Sequence, residues 1–330
     1  MPACRICHHT ENHQPHRFTE MMFGTGRMFD YFACGHCGCI QIATIPDDPA
    51  ALYPAGYYSF KAPRRLADGR IKAFCKRLRA RSRVGPQSPL AVLVGWVYRP
   101  PVYFGWLQTA GVGLADPILD VGCGSGELLV RLAKDGFTQL TGIDPHLPED
   151  RIYPNGVRLA KQDLAQARGG YRLIMLHHCF EHMADPQAAL GHLARLLAPG
   201  GRVLIRLPLA DSFAWRHYGP CWVQIDAPRH FFLHTVASIK LLAGRSGFAV
   251  DKIVYDSDEF QFWGSEQVKM GIALTDPRSF ASGKNPGLFP RGQLRSFKRQ
   301  ARRLNRSGQG DQACFYLVRS DGQTQDGESR

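Results

Sequence analysis

The chain has 330 residues, 44% of them hydrophobic, enough for one large or two modest domains with a sizeable core. Lys and Arg outnumber Asp and Glu by 41 to 28, and the formal charge of +13 points to an anionic partner without choosing between nucleic acid, a membrane surface and a phosphorylated substrate. Cys75, Cys123, Cys179, Cys221 and Cys314 are scattered and the start is Cys- and His-rich rather than an apolar signal segment, which argues against a disulfide framework and for a reducing cytoplasm.

In residues 1–60, Cys4-Arg5-Ile6-Cys7 and Cys34-Gly35-His36-Cys37 form two C-x-x-C pairs. Two such pairs make a closed tetrahedral zinc site, structural because no coordination position stays open for a substrate. The gap between them exceeds the usual spacing and requires a hairpin, and His8, His9, His36 and Cys39 are alternative ligands. An aromatic run, Leu52 to Tyr58, closes the segment; it either packs on the main domain or lines an acceptor pocket. Residues 61–112 form a connector. From Lys61 to Arg83 the only acid is Asp68, and Ile71, Phe74, Cys75 and Leu78 fall at helical spacing, which predicts a basic amphipathic helix. Leu90–Tyr98 and Val102–Leu107 are apolar pieces too short to span a bilayer. They read as helices over a sheet or, with Trp96 and Trp106 at the boundary, as a peripheral membrane contact through residues 61–107.

Residues 113–320 alternate strands and helices. Ile118-Leu119-Asp120-Val121 is an apolar strand carrying an acid, Gly122-Cys123-Gly124-Ser125-Gly126 a glycine turn that lets a ligand press against the backbone, and Glu127 opens a helix. A dinucleotide fingerprint places a third glycine where Glu127 stands. Two carboxylates at this bend, Asp120 and Glu127, disfavour a pyrophosphate and favour a cationic ligand without phosphates, such as S-adenosylmethionine. A second strand ends at Asp144, placed to hold a ribose diol, and Gln162-Asp163-Leu164 follow a third run where an adenine edge would lie. Tyr171–His178 is a fourth strand, Asp185-Pro186 starts a helix that Gly200-Gly201 end, Arg202–Leu207 is a fifth strand, and Thr235 caps a further helix. A sixth strand lies within 248–255, and Cys314–Val318 closes the sheet. Residues 258–312 are an insertion with a second basic helix at Pro290–Asn305, and 321–330 read as a disordered tail.

The stretch Leu176-His177-His178-Cys179-Phe180-Glu181-His182-Met183-Ala184-Asp185-Pro186, followed by Leu197-Ala198-Pro199-Gly200-Gly201, resembles the "hhxxEHxxdP…lkpGG" signature of class I S-adenosylmethionine-dependent methyltransferases. The leader resembles the zinc ribbon on some methyltransferases associated with polysaccharide and sugar modification. The resemblance implies an α/β, Rossmann-like sheet of seven strands, the last antiparallel, with a small N-terminal zinc ribbon. It implies cofactor contacts at Asp120, Gly122, Cys123, Gly124, Gly126, Asp144, Pro145, Asp163, Leu164 and His177, with zinc on Cys4, Cys7, Cys34 and Cys37.

A hydroxyl acceptor needs a base, and histidine is the residue suited to neutral pH. His230 and His178 are the candidates, with His182 as a third residue there that also suits orienting its loop; His177 and His217 lie nearby. Trp222, Tyr218 and Arg229 are candidates to shape an acceptor pocket, Trp222 by stacking on a sugar. The expected activity is methyl transfer to a sugar, glycolipid or related hydroxylated small molecule, in the cytoplasm or at a membrane periphery. The alternatives are an RNA methyltransferase that uses the basic helices and the zinc ribbon to hold the nucleic acid, with Cys179 after strand four but no Asn/Asp-Pro-Pro-Tyr-like motif, and an inactive scaffold serving as an interaction protein, against which the intact glycine turn argues.

Overall fold

The computed structural model describes residues 2–53, 58–60, 63, 65–85 and 99–320. The leader contributes β1 (Gln14–Thr19), β2 (Met28–Ala33) and β3 (Ile40–Ile42). The connector contributes α1 (Arg70–Val84) and α2 (Tyr103–Ala110). There follow β4 (Ile118–Val121), α3 (Glu127–Asp135), β5 (Leu140–Ile143), β6 (Arg151–Ile152), β7 (Arg158–Ala160), β8 (Tyr171–His177), α4 (Pro186–Leu196), β9 (Leu197–Pro208), α5 (Phe213–Tyr218), β10 (Phe232–Leu233), α6 (Val236–Arg245), β11 (Phe248–Tyr255), α7 (Phe260–Lys269), α8 (Arg291–Arg306) and β12 (Gln312–Arg319).

The main sheet runs β11-β12-β9-β8-β4-β5-β7-β6. Its centre is parallel, with α3 crossing back between β4 and β5 and α4 between β8 and β9. β12 is antiparallel to both neighbours, as the resemblance implies, and the short β6 adds an antiparallel edge beyond the seven expected strands. Alternate residues face two cores, which is why these strands read as unbroken apolar runs. Leu119, Ile174, Leu176, Val203 and Ile205 meet α4, α6 and the leader. Ile118, Leu173, Met175 and Leu204 meet α2 and α3. Asp185 caps α4 by accepting from the Ala188 amide at 2.9 Å, with Pro186 in the first turn. Gly200-Gly201 do not end that helix: it stops at Leu196 and the chain enters β9 directly.

The leader is not packed as a unit of its own. Its sheet runs β1-β2-β3-β10, so a strand from residue 232 onward completes it. The Tyr31 hydroxyl donates to the His230 carbonyl at 3.0 Å, and Thr235 Oγ1 donates to the Cys37 carbonyl at 2.7 Å. A boundary at residue 60 therefore divides the sequence but not the packing.

The connector departs most from its pattern. Ile71 is 83% and Phe74 58% exposed, while Leu78, Arg79 and Ala80 are buried. Arg79 Nη2 donates to Asp135 Oδ1 at 2.6 Å, and the Tyr103 hydroxyl donates to Asp135 Oδ2, so one acid on α3 gathers α1 and α2. Trp106 is held inward. Its ring packs on His177 at 4.5 Å and its Nε1 donates to Asp256 at 3.2 Å. The run Leu90–Tyr98, Pro54–Tyr57 and the tail lie outside the described residues. Among the described residues no helix is long and apolar enough to cross a membrane.

Candidate functional site

The carboxyl ends of β4, β5 and β8 open on a cavity of about 1460 Å³. Gly122 of the glycine turn lines its floor. Gly122, Gly124 and Gly126 have φ of 72°, 50° and 75°, a region that favours glycine. The surroundings add a second reason for glycine, and it is not the ligand alone. A Cβ on Gly122 would lie 2.4 Å from Cys179 Sγ, one on Gly124 2.5 Å from the Ser59 carbonyl, and one on Gly126 2.9 Å from Leu159 Cδ2. Ser59 lies over the turn and accepts from the Ser125 amide at 2.8 Å. Glu127 points away, its carboxylate 2.9 Å from Arg131 Nε one turn on, so it does not guard the pocket against pyrophosphate.

That task falls to Asp120 and Asp144. Asp144 lines the cavity, and its two oxygens accept from the Gly124 amide at 3.0 Å and the His146 amide at 2.9 Å, leaving lone pairs free. Asp120 is buried behind it, and burial together with the nearby Asp144 charge pushes its carboxyl up to about 7. Among the described residues neither acid has a cationic side chain as partner. A buried pair of acids beside a large cavity fits a cationic ligand and repels an anionic one. Of the residues expected at the cofactor, Gly122, Asp144, Pro145, Asp163, Leu164 and His177 line the cavity. Asp120, Cys123, Gly124 and Gly126 do not: they support the turn from behind, with Cys123 folded against Gly142.

At the other end, the turn Phe180–His182 after β8 and the loop 226–230 bring three histidines around one acid, and His178, His182 and His230 all line the cavity. Glu181 is fully buried and neither carboxylate oxygen has a hydrogen-bond partner. Burial opposes its charge, yet His178, His182 and His230 hold its carboxyl down at about 2. Arg206 Nη1 lies 2.7 Å from His178 Nε2, and a guanidinium can only donate. The His178 proton therefore sits on Nδ1, 3.5 Å from Glu181, and its lone pair is taken, which removes it as a base. Arg206 is itself anchored on Asp256 at 2.7 Å. His182 and His230 are the reverse: each Nδ1 is 2.8 Å from a backbone carbonyl, of Arg229 and Gln224, which fixes the proton there and leaves Nε2 with a lone pair.

Other expected residues belong to the core. Trp222 is buried, donates from Nε1 to Asp311 at 3.0 Å and does not line the cavity, so no sugar stacks on it. Tyr218 donates to Glu266, Arg229 is tied to Asp226 and His217 is exposed on α5, all away from the cavity wall. The wall instead uses Met22 and Tyr53 from the leader and Phe260, Gln261, Trp263 and Leu274 from the insertion. Tyr53 packs against His146 and His182 at 5.2 and 6.2 Å, so at least one ring of the aromatic run takes the lining role. The insertion residues carry no motif; the one available signal is their aromatic content beside a basic helix.

In the leader, the thiols of Cys4, Cys7, Cys34 and Cys37 converge, all within 4.8 Å of one another. Sγ–Sγ distances are 3.7 Å for Cys4–Cys37 and 3.4 Å for Cys7–Cys34. A tetrahedral zinc with bonds of about 2.3 Å sets its sulfurs about 3.8 Å apart, so the cluster fits that ion. Cys39 is not part of the four; it faces His234 Nδ1 at 4.0 Å.

A family model described as "Methyltransferase domain" matches residues 62–253, more than half of the chain, and the chain belongs to that family. It is similar to ubiquinone biosynthesis O-methyltransferase of Pectobacterium carotovorum subsp. carotovorum (strain PC1), 31% identical over 127 residues, which is 35% of this chain and 53% of that protein. The same-named protein of Aeromonas salmonicida (strain A449) is 34% identical over 117 residues, 32% of this chain and 49% of that one. The chain thus spans about half the length of the curated relatives it matches. Among solved structures, magnesium protoporphyrin IX methyltransferase (ChlM) from Synechocystis PCC 6803 with bound SAH is 22% identical at a TM-score of 0.38, over 47% of this chain and 74% of that one.

Proposed function

We propose that the protein transfers the methyl group of S-adenosylmethionine to a hydroxyl of a sugar, glycolipid or related small molecule, which can be lipid-linked. The observation that carries this reading is the buried Asp120–Asp144 pair, with Asp144 on the cavity wall and Asp120 behind it, which among the described residues has no cationic side chain as partner. Asp144 would hold the ribose diol, Asp163 and Leu164 the adenine, and the pair of acids the cationic end. The bound sulfonium supplies an already activated methyl group, so the chain's task is alignment and exclusion of water. The acceptor hydroxyl loses its proton as its bond to carbon forms. At that end the open lone pairs belong to His182 and His230, which either take the proton themselves or hold what acidifies the hydroxyl. A nucleic-acid acceptor through Cys179 is disfavoured: burial, with Glu181, Asp144 and Asp120 nearby, pushes that thiol up, away from the thiolate. Exposed Ile71, Phe74 and Val102 among the cations of the connector support peripheral membrane contact.

The test is a labelled-methyl assay on extracted polar metabolites, lipids and RNA. Label in the polar or lipid fraction is expected, and label confined to RNA refutes the reading. Asp144→Ala is expected to abolish S-adenosylhomocysteine binding by calorimetry; unchanged affinity refutes the ribose assignment. Zinc on the four leader thiols is expected at one per chain by elemental analysis, released by joint Cys4→Ser and Cys34→Ser substitution.

A further inference from the structure

Two histidines from separate segments present bare nitrogens to a carboxylate that has no hydrogen bond. His182 Nδ1 is committed to the Arg229 carbonyl and His230 Nδ1 to the Gln224 carbonyl, both at 2.8 Å, so each Nε2 keeps its lone pair. His230 Nε2 stands 3.9 Å from Glu181 Oε1 and 3.7 Å from Asp226 Oδ2. Two lone pairs and two carboxylates facing one another in a buried site repel unless something positive lies between them. The Arg229 guanidinium lies on Asp226, its Nε 3.0 Å from Oδ2. The His178 Nδ1 proton approaches Glu181 from the other side at 3.5 Å.

We infer that Glu181 and the Nε2 atoms of His182 and His230 bind a divalent transition-metal ion at the acceptor end of the cavity. The donor atoms lie within 4.8 Å of one another. Bonds of about 2.0–2.2 Å would set neighbouring ligands roughly 3 Å apart, so the three draw in by roughly 1–2 Å. Two imidazoles and one carboxylate suit Mn, Fe, Co or Zn and select against Mg and Ca. The backbone carbonyls on each Nδ1 are the outer hydrogen bonds that orient ligating histidines. Three protein ligands leave positions open, and His182 and His230 face the cavity, so the ion meets the acceptor. Resting on the methyl-transfer reading, this assigns the ion a role: it holds the acceptor hydroxyl oxygen, whose O–H bond breaks with the proton passing to solvent. The oxygen's electron pair then forms the bond to the methyl carbon as the carbon–sulfur bond breaks onto sulfur.

The experiment is a Mn²⁺ titration of the full, zinc-loaded chain followed by electron paramagnetic resonance, with S-adenosylhomocysteine calorimetry on the same samples. One Mn²⁺ per chain beyond the leader zinc is expected, weakened at least tenfold in Glu181→Gln and in His230→Gln. Glu181 is fully buried, so His182→Ala, at a half-buried position, is the second variant; it too is expected to lose Mn²⁺ affinity while binding S-adenosylhomocysteine as the parent does. No Mn²⁺ bound at millimolar ion, or parental Mn²⁺ affinity in His182→Ala, overturns the site. Mn²⁺ binding that follows the expected pattern in a chain that does not bind S-adenosylhomocysteine upholds the metal site and overturns the methyl-transfer reading instead.

Discussion

Asp120 shows how a buried acid, with no cationic partner among the described residues, becomes a sensor for its ligand. Burial, then the Asp144 charge, hold its carboxyl at about 7 in the free protein, while a cationic ligand binds the ionised form. The sign follows: as pH falls through 7 the acid takes up a proton and loses its attraction for a cation. S-adenosylmethionine affinity by calorimetry is expected to rise up to about tenfold between roughly pH 6 and 8 and to be flat in Asp120→Asn. A flat profile in the parent chain counts against the acid pair. Gly124→Ala is expected to destabilise by about 2 kcal/mol in chemical denaturation, because it combines a φ of 50° with a Cβ 2.5 Å from the Ser59 carbonyl. The need for glycine was legible in the sequence. That Ser59 rather than a ligand crowds Gly124 was not, since the contact joins residues far apart in the chain.

Helix α1 illustrates the limit of periodicity. Ile71, Phe74 and Leu78 recur at helical spacing, but only Leu78 is buried, and the docking contact is the ion pair of Arg79 with Asp135. An arginine inside a basic run looks like one more solvated charge, and the acid that captures it lies on α3. Removing one partner strands the other in a low-dielectric site, so Asp135→Ala is expected to cost about 3–5 kcal/mol, read as a large fall in Tm. Joint Arg79→Leu and Asp135→Leu is expected to recover much of that loss; a double variant as unstable as the single one would refute the pair as the cause. The strands were easier to read: Ile118-Leu119 of β4, Leu173–Leu176 of β8 and Val203–Ile205 of β9 are apolar on successive residues because both faces of a parallel sheet are covered.

Across the whole molecule, the cofactor end of the cavity is built from local motifs at strand ends, and it was legible. The acceptor end is built by convergence: Met22 and Tyr53 from the leader, His182 and His230 from two loops, and Trp263 and Leu274 from the insertion. None of these pairings follows from spacing. The leader reaches that end through the Tyr31 hydroxyl on the His230 carbonyl. Stripping the leader metal is therefore expected to lower Tm and impair acceptor turnover more than S-adenosylhomocysteine affinity; equal losses in both would point to global unfolding.

Because Phe232–Leu233 pairs with Ile40–Gln41, and the Phe231 carbonyl accepts from the Ile42 amide at 2.9 Å, the two ends of the chain's first 233 residues are sewn into one ribbon. A truncated protein beginning near residue 61 would bare a strand edge and the apolar side of the sheet that Ile40 and Ile42 now cover, inviting self-association. Transplanting this leader onto a foreign catalytic body would fail for the same reason unless the recipient brought a matching segment of its own. New acceptor preferences in such a scaffold would then have to arise by joint change on both sides of that seam.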